Sequence, residues 1–268
     1  MDPEIVAQVQ RRLDAAARAE EVTLPLAVES GSRAWGFPSQ DSDYDCRFLY
    51  IRRTEDYLSP WRKRDVIETP VDTIYDVSGW DLAKALQLLL KGNAVVLEWL
   101  TSPIAYRRDA RFVGEFLELA TSVVDRRRIC RHYLHLGETQ QRRNLADETA
   151  VARKKLFYAL RPAAALRWMR LHPSEVAPPM NFLSLMESCA PPQGVFGLAQ
   201  ELIAEKAATG EMVTAPLDRT LARFVEDEFE IERARGDVGE SDTKAWAQRL
   251  AEDFFIAQLR RSEVGGFG

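Results

Sequence analysis

The sequence predicts an α/β or α+β domain followed by an α-helical one, from three observations. Segments rich in β-branched and aromatic residues, bounded by turn signals, are confined to roughly the first 105 residues. Beyond about Asp109 the pattern is helical, with no further strand signal. The chain has 268 residues, 46% hydrophobic and 29% charged, enough for one large domain or two modest ones with a sizeable core. The boundary is placed at 108/109, giving a sheet-bearing domain over 1–108 and a helical domain over 109–268.

The first helix is read over Pro3–Glu20, and Leu24–Glu29 as a short strand. Tyr44–Arg52, "YDCRFLYIR", is a second strand by its aromatic and β-favouring content. Thr69–Asp72 reads as a turn between strands at about 65–68 and 73–77. Ser78 is expected to cap a helix "GWDLAKALQLLLK", with Asp81 three residues on approximating a capping box. Lys91-Gly92-Asn93 ends that helix, and "AVVLEWL" is a further helical stretch before Ser102-Pro103. In the helical half, breaks are expected at Gly137, at "HPSEVAPPMN" and at Thr209-Gly210, and the tail "GGFG" is expected to be loose.

Several function classes are disfavoured at once. No apolar run approaches the ~20 residues that cross a bilayer, and the charged, amphipathic N-terminus lacks the apolar core of a signal peptide. The expectation is a cytoplasmic protein with no membrane partner. Cys46, Cys130 and Cys189 form no C-x-x-C pair or disulfide framework, and His132, His135 and His172 match no common zinc spacing. A net charge of −5 argues against long duplex DNA, which needs a broad basic face, yet leaves room for a local basic groove.

The chemistry concentrates in "GSRAWGFPSQDSDYDCRFLYI". Strand side chains alternate, so Asp43 and Asp45 point the same way at the strand's start. Two adjacent carboxylates repel, and a cation between them turns repulsion into attraction. Oxygen donors suit Mg²⁺ or Mn²⁺. Gly31 lets the backbone turn sharply, so that exposed N–H groups and the Ser32 hydroxyl can meet phosphate oxygens, with Arg33 adding charge. D-x-D alone is more often a solvated strand end, and "DSDYD" is also a natural polar turn; the joint pattern is what carries weight.

That joint pattern resembles the DNA polymerase β-like nucleotidyltransferase superfamily, with a G-S pair, a short gap, then D-x-D heading a strand. "SGWDLAKALQLLLKGNAVVLEWLTSPIAY" and "KKLFYALRPAAALRWM" are similar to its bacterial branch associated with RNA ligase and RNA repair. The resemblance implies an α+β fold, with a nucleotidyltransferase-type mixed β-sheet and flanking helices followed by an α-helical domain closing the cleft. It implies two divalent cations held by Asp43 and Asp45, transfer of an NMP from an NTP to an acceptor hydroxyl, and release of pyrophosphate.

It also implies a third carboxylate on a neighbouring strand. Asp72 falls in the turn and Asp81 in a first helical turn, where capping explains it. Asp76 lies inside "TIYDV", where a charge needs a reason, and is the choice. In the helical half, Lys154, Tyr158 and Arg161 fall at i, i+4 and i+7 and share one helix face, with Lys155 able to replace Lys154. A stripe of that kind can clamp a triphosphate and stack a base; its plain alternative is a solvated face. The basic stretch Asp125–Asn144 can meet RNA phosphates, though such runs are usually solvated. An RNA end as acceptor and an RNA ligase as partner come from the resemblance. A catalytically silent, antitoxin-like nucleotide-binding module and an adenylyltransferase acting on a protein or small molecule are the alternatives.

Overall fold

A computed structural model describes residues 1–70, 74–144, 151–209, 214–236 and 245–267. The chain divides into two compact units. The first comprises Met1–Gly31, Asp43–Val124 and Asp242–Gly268; the second comprises Ser32–Ser42 and Asp125–Ser241. Where the sequence suggests a boundary at 108/109, the units part at Val124/Asp125, and the last helix returns to the first unit.

The first unit is an α+β assembly. Helix α1 spans Pro3–Glu20, capped by Asp2, whose side chain accepts the Glu4 N–H. Strand β1 (Thr23–Ser30) follows, then the short helix α2 (Gly31–Trp35), where the chain enters the second unit. Strand β2 (Tyr44–Ile51), helix α3 (Thr54–Leu58), strand β3 (Val66–Glu68) and strand β4 (Tyr75–Asp81) come next. Helices α4 (Leu82–Leu90) and α5 (Ala94–Leu100), strand β5 (Ala105–Arg108) and helix α6 (Ala110–Val123) complete the continuous part.

The strands form one mixed sheet, ordered β3-β4-β2-β1-β5. β2 and β4 are parallel, while β1 pairs antiparallel with β2 and with β5. Alternation sorts the faces. Cys46, Phe48 and Tyr50 join Val77, Ala27, Val9 and Leu13 in the core beneath α1. Asp45, Arg47, Asp76 and Trp80 take the other face, where Trp80 packs at a tilt of 35° against Trp99 of α5, 4.1 Å between centroids. A Cβ at Gly79 would stand 2.2 Å from the Phe48 ring, so this glycine makes the room that the aromatic core fills.

Two expectations for this unit are corrected. Ser78 does not cap a helix: it lies within β4, held by β2 on one side and β3 on the other. Two paired neighbours outweigh a local capping pattern, and the strand runs on until Asp81 caps α4 by accepting the Ala83 N–H at 2.8 Å. β5 was not expected; its four residues carry too short a pattern to read, and pairing with β1 defines them. Asp72 and the proposed turn from Val71 onward lie outside the described residues.

The second unit is mostly helical: α7 (Arg126–Asn144), α8 (Arg153–Leu171), α9 (Phe182–Ser188), α10 (Val195–Thr209) and α11 (Arg219–Ala234). β6 (Val151–Ala152) and β7 (Thr214–Ala215) form a small antiparallel pair that the helices-only expectation omitted. α8 is the central helix, with Leu156, Phe157, Leu160, Ala163, Ala164 and Leu166 all buried. Helix α7 runs straight through Gly137, against the expected break. A Cβ there would stand 2.2 Å from the Phe229 ring of α11, so this glycine serves close helix packing.

The final helix, α12 (Ala245–Glu263), packs on α6 and α4 of the first unit. Phe254 meets Phe116 at 4.9 Å, and Arg261 pairs with Asp109 at 2.7 Å. The tail is not loose as far as Phe267, which lies beneath Arg261 at 4.5 Å. Among the described residues, no helix is long and apolar enough to cross a membrane.

Candidate active site

The end of β1 builds the site's floor. Glu29 is fully buried, and its Oε1 accepts the Asp45 N–H at 2.9 Å while its other oxygen accepts the Tyr106 hydroxyl. A carboxylate in an otherwise apolar strand is tolerable because donors meet both oxygens. The result is a fixed backbone position for Asp45. Burial, helped by the nearby Glu29 charge, pushes the Cys46 thiol far above its ordinary range, so this cysteine is inert core.

Ser30 lies opposite Asp45 in the β1–β2 register, which brings the next residue, Gly31, against that side chain. Gly31 has φ +64°, and a Cβ on it would meet Asp45 Oδ2 at 2.2 Å. Only glycine permits both the turn and the carboxylate's approach.

Asp45 and Asp76 are register partners on the parallel strands β2 and β4. Between them lies Arg47, two residues after Asp45 and therefore on the same strand face. Its Nη2 donates to Asp45 Oδ1 at 3.2 Å and to Asp76 Oδ2 at 2.6 Å. Its Nη1 donates to the Asp76 and Cys46 carbonyls at 2.9 and 3.1 Å. Asp43 is exposed and lies one residue before the strand begins. Among the described residues, no three His, Cys, Asp or Glu side chains are gathered closely enough to hold a metal ion. Of the three expected carboxylates, Asp45 and Asp76 are joined through Arg47, and Asp43 lies two residues before Asp45, just ahead of β2.

Ser32 and Arg33 belong to the second unit. Arg33 Nη2 donates to the Ser42 carbonyl at 2.7 Å, tying together the two ends of the segment between the units' crossing points. Gly36, at φ +85°, turns the chain where a Cβ would meet Asn181 Nδ2 at 2.3 Å. Phe37 then stacks on Phe157 of α8 at 4.1 Å, and the buried Lys206 donates to its carbonyl at 2.8 Å.

The helical-face candidates of α8 meet this segment at Trp35. Tyr158 meets Trp35 edge-on at 5.9 Å, and the Arg161 guanidinium lies 4.9 Å from the Trp35 ring centre. Arg161 is only 3% exposed, so it is a buried anchor of Trp35 rather than part of a solvated stripe. Lys154 is the second residue of α8, and its side chain lies outside the described residues. Asn93, read as a C-cap, instead caps α5 by accepting the Val95 N–H at 2.8 Å.

Glu29 and Arg47 were missed from the sequence. A signal existed for each: a charge closing the apolar strand "LPLAVE", and an arginine two residues after D-x-D, hence on its face.

A family model described as RNA repair pathway DNA polymerase beta family matches residues 5–256. The uncharacterized protein YcgL of Bacillus subtilis (strain 168) is 40% identical over 230 residues, covering 82% of this chain and 85% of that protein. A crystal structure of a nucleotidyltransferase-like protein from Exiguobacterium sibiricum 255-15 aligns with 94% of this chain and 73% of its own, at 13% identity and a TM-score of 0.26. With a family match running nearly end to end over a G-S turn and an in-register aspartate pair, this chain belongs to the RNA repair pathway DNA polymerase beta family.

Proposed function

We propose that this protein is a metal-dependent nucleotidyltransferase that moves an NMP from an NTP to a hydroxyl at an RNA end, releasing pyrophosphate. The observation that carries the reading is the Asp45–Asp76 register pair set against the left-handed turn at Gly31.

The donor chemistry of the pair suits a hard divalent cation, and the shared Arg47 contact supports a common place for a positive charge between the two carboxylates. Asp45 and Asp76 would hold Mg²⁺ or Mn²⁺, with Asp43 supplying a further oxygen from just ahead of the strand. The ion would supply Lewis acidity to the phosphate oxygens and lower the acceptor hydroxyl's pKa.

The chain's own groups do the rest. Glu29 fixes the Asp45 backbone, and Gly31 lets it lie close to the ligand. Ser32 and Arg33 present a hydroxyl and a guanidinium for phosphate oxygens. Tyr158 and Arg161 act by holding Trp35, which ends the short helix carrying Ser32 and Arg33, and the family resemblance is what offers Lys154 as a phosphate contact. The cytoplasm is the compartment this reading implies, and an RNA ligase working on the same end is the implied partner.

The test uses labelled NTPs, Mg²⁺ or Mn²⁺, and an RNA pool, with pyrophosphate release and label transfer as readouts. Transfer by wild type that is lost in Asp45→Ala and Asp76→Ala supports the reading. Activity surviving Asp45→Ala rejects it. The Arg47 bridge favours one second reading, a catalytically silent nucleotide-binding module; tight NTP binding without metal and without transfer to RNA, protein or small molecule would establish that.

A further inference from the structure

The last residue of α3 and the loop that follows it present "LSPWRKR", residues 58–64, to solvent. Trp61 is 84% exposed and Leu58 77%, the two most exposed large apolar side chains among the described residues of the first hundred. Three cations follow Trp61 directly. Nothing in the core explains leaving an indole in water, where burial would be favourable.

The loop is nonetheless well anchored. Ser59 Oγ accepts the Trp61 N–H at 3.1 Å, closing the bend around Pro60. The Arg64 carbonyl accepts from the Tyr50 hydroxyl and from Arg52, both at 3.2 Å. Lys63 pairs with Asp56 at 2.8 Å and Arg64 with Glu68 at 3.0 Å, whereas no ion pair of Arg62 occurs among the described residues. The indole is thus held out on a fixed base.

Beside it lies a recess of about 310 Å³. Five cations line it (Arg52, Arg62, Lys63, Arg64 and Lys84) against the carboxylates of Asp56, Asp65 and Asp81. Cations outnumber carboxylates five to three among the lining residues, and Arg52, Lys63, Arg64 and Lys84 are held in place by ion pairs with Glu20, Asp56, Glu68 and Asp65. Charged head groups rim the recess over the aliphatic stems of its lysines and arginines, with Tyr57 and Ala83 beside them, which suits a phosphate carried on a base or sugar.

We propose that this loop and recess bind single-stranded RNA, one base stacking on Trp61 and the adjoining phosphates meeting Arg62 and the recess cations. A flat, exposed aromatic beside clustered guanidinium groups is the chemistry that reads an unpaired strand. The choice of RNA over other anionic polymers rests on the proposed RNA-end activity; the site itself does not depend on catalysis.

The experiment measures anisotropy of a labelled 12-nucleotide single-stranded RNA with the full chain, in EDTA and without NTP, across a salt series. Competitors are the same sequence as DNA, duplex RNA, and vesicles containing anionic lipid. Wild type is expected to bind the single strand best. Trp61→Ala should weaken binding about tenfold, with Trp61→Phe recovering part of it. Arg62→Ala should lower the salt slope by about 0.7, one phosphate's worth. Both variants should melt as wild type, since both side chains are exposed. Unchanged affinity in Trp61→Ala, absence of binding at low salt, or binding of vesicles in preference to RNA overturns the proposal. Asp45→Ala is expected to bind RNA normally. Binding with no transfer would therefore defeat the transferase reading while leaving this site intact, and transfer with unaltered binding in Trp61→Ala would do the reverse.

Discussion

Replacing Arg47 by methionine tests the electrostatic centre of the site. The guanidinium makes charge-assisted bonds of 3.2 and 2.6 Å to Asp45 and Asp76, whose side chains are 30% and 44% exposed. Such bonds are worth ~1.5–3 kcal/mol at best, and solvent screening at this exposure reduces each to ~0.5–1 kcal/mol. The two carbonyl contacts add ~0.5 kcal/mol each, while the methionine stem keeps most of the packing. Without metal, Arg47→Met is therefore expected to lose about 2 kcal/mol, or roughly 4–8 °C in melting temperature. The two carboxylates then face each other without a cation, and a divalent ion takes the place more readily. At tenfold above its dissociation constant an ion returns about 1.4 kcal/mol. In wild type the ion must displace the guanidinium, so its effect is smaller. Thermal melts of both proteins in EDTA and in Mg²⁺ or Mn²⁺ decide the matter. A variant that melts like wild type in EDTA, or that gains no more from metal than wild type does, would refute the bridged-pair account.

Other expectations follow from single contacts. Gly31→Ala places a methyl 2.2 Å from Asp45 Oδ2 on a strained backbone, so nucleotide transfer should fall at least tenfold, with only about 1–2 kcal/mol lost in denaturant melts. Equal activity would show that the Asp45 carboxylate is free to move. Glu228, 2% exposed, pairs with Arg167 at 3.0 Å and Arg170 at 2.7 Å. Glu228→Ala strands two cations and should cost about 3–5 kcal/mol in urea unfolding, with Glu228→Gln costing less. Burial raises the Asp81 carboxyl above its ordinary value of 3.8, against the opposing Ala83 N–H and Tyr57 hydroxyl. The native state thus binds the proton more tightly than the unfolded chain, and the stability from this group is complete below about pH 4 and is lost as pH rises through the folded-state pKa. Asp81→Asn keeps the cap without the buried charge, so its melting temperature relative to wild type should be more favourable at pH 7 than at pH 4; an equal difference at both would discount the Asp81 contribution.

Local patterns were legible where local forces decide. Helix α1 falls where its Asp cap, proline start and amphipathic spacing put it, at Pro3–Glu20. The strand after D-x-D is found at Tyr44–Ile51 for its aromatic and β-branched content. Asp76 stood out as a charge inside a strand, and it lies beside Asp45. Patterns misled where tertiary neighbours overruled them. Ser78 looks like a cap and is a paired strand residue, and Gly137 looks like a break and is a helix contact. For the Tyr158–Arg161 face, whose spacing fits a cleft-facing stripe as well as a solvated one, the structure adds that Trp35 lies against it from a segment more than a hundred residues earlier.

By itself the sequence determined the fold class and the family, because both depend on residue type at short, fixed spacing, and it named Asp45 and Asp76 among its candidate acids. Only the tertiary structure decided that Arg47 bridges Asp45 to Asp76, that Glu29 carries Asp45 from below, and that the chain leaves the first unit between Gly31 and Ser32. Those facts depend on which strands lie side by side, and strand neighbours are chosen by burial across the whole sheet, a quantity no short stretch of sequence contains.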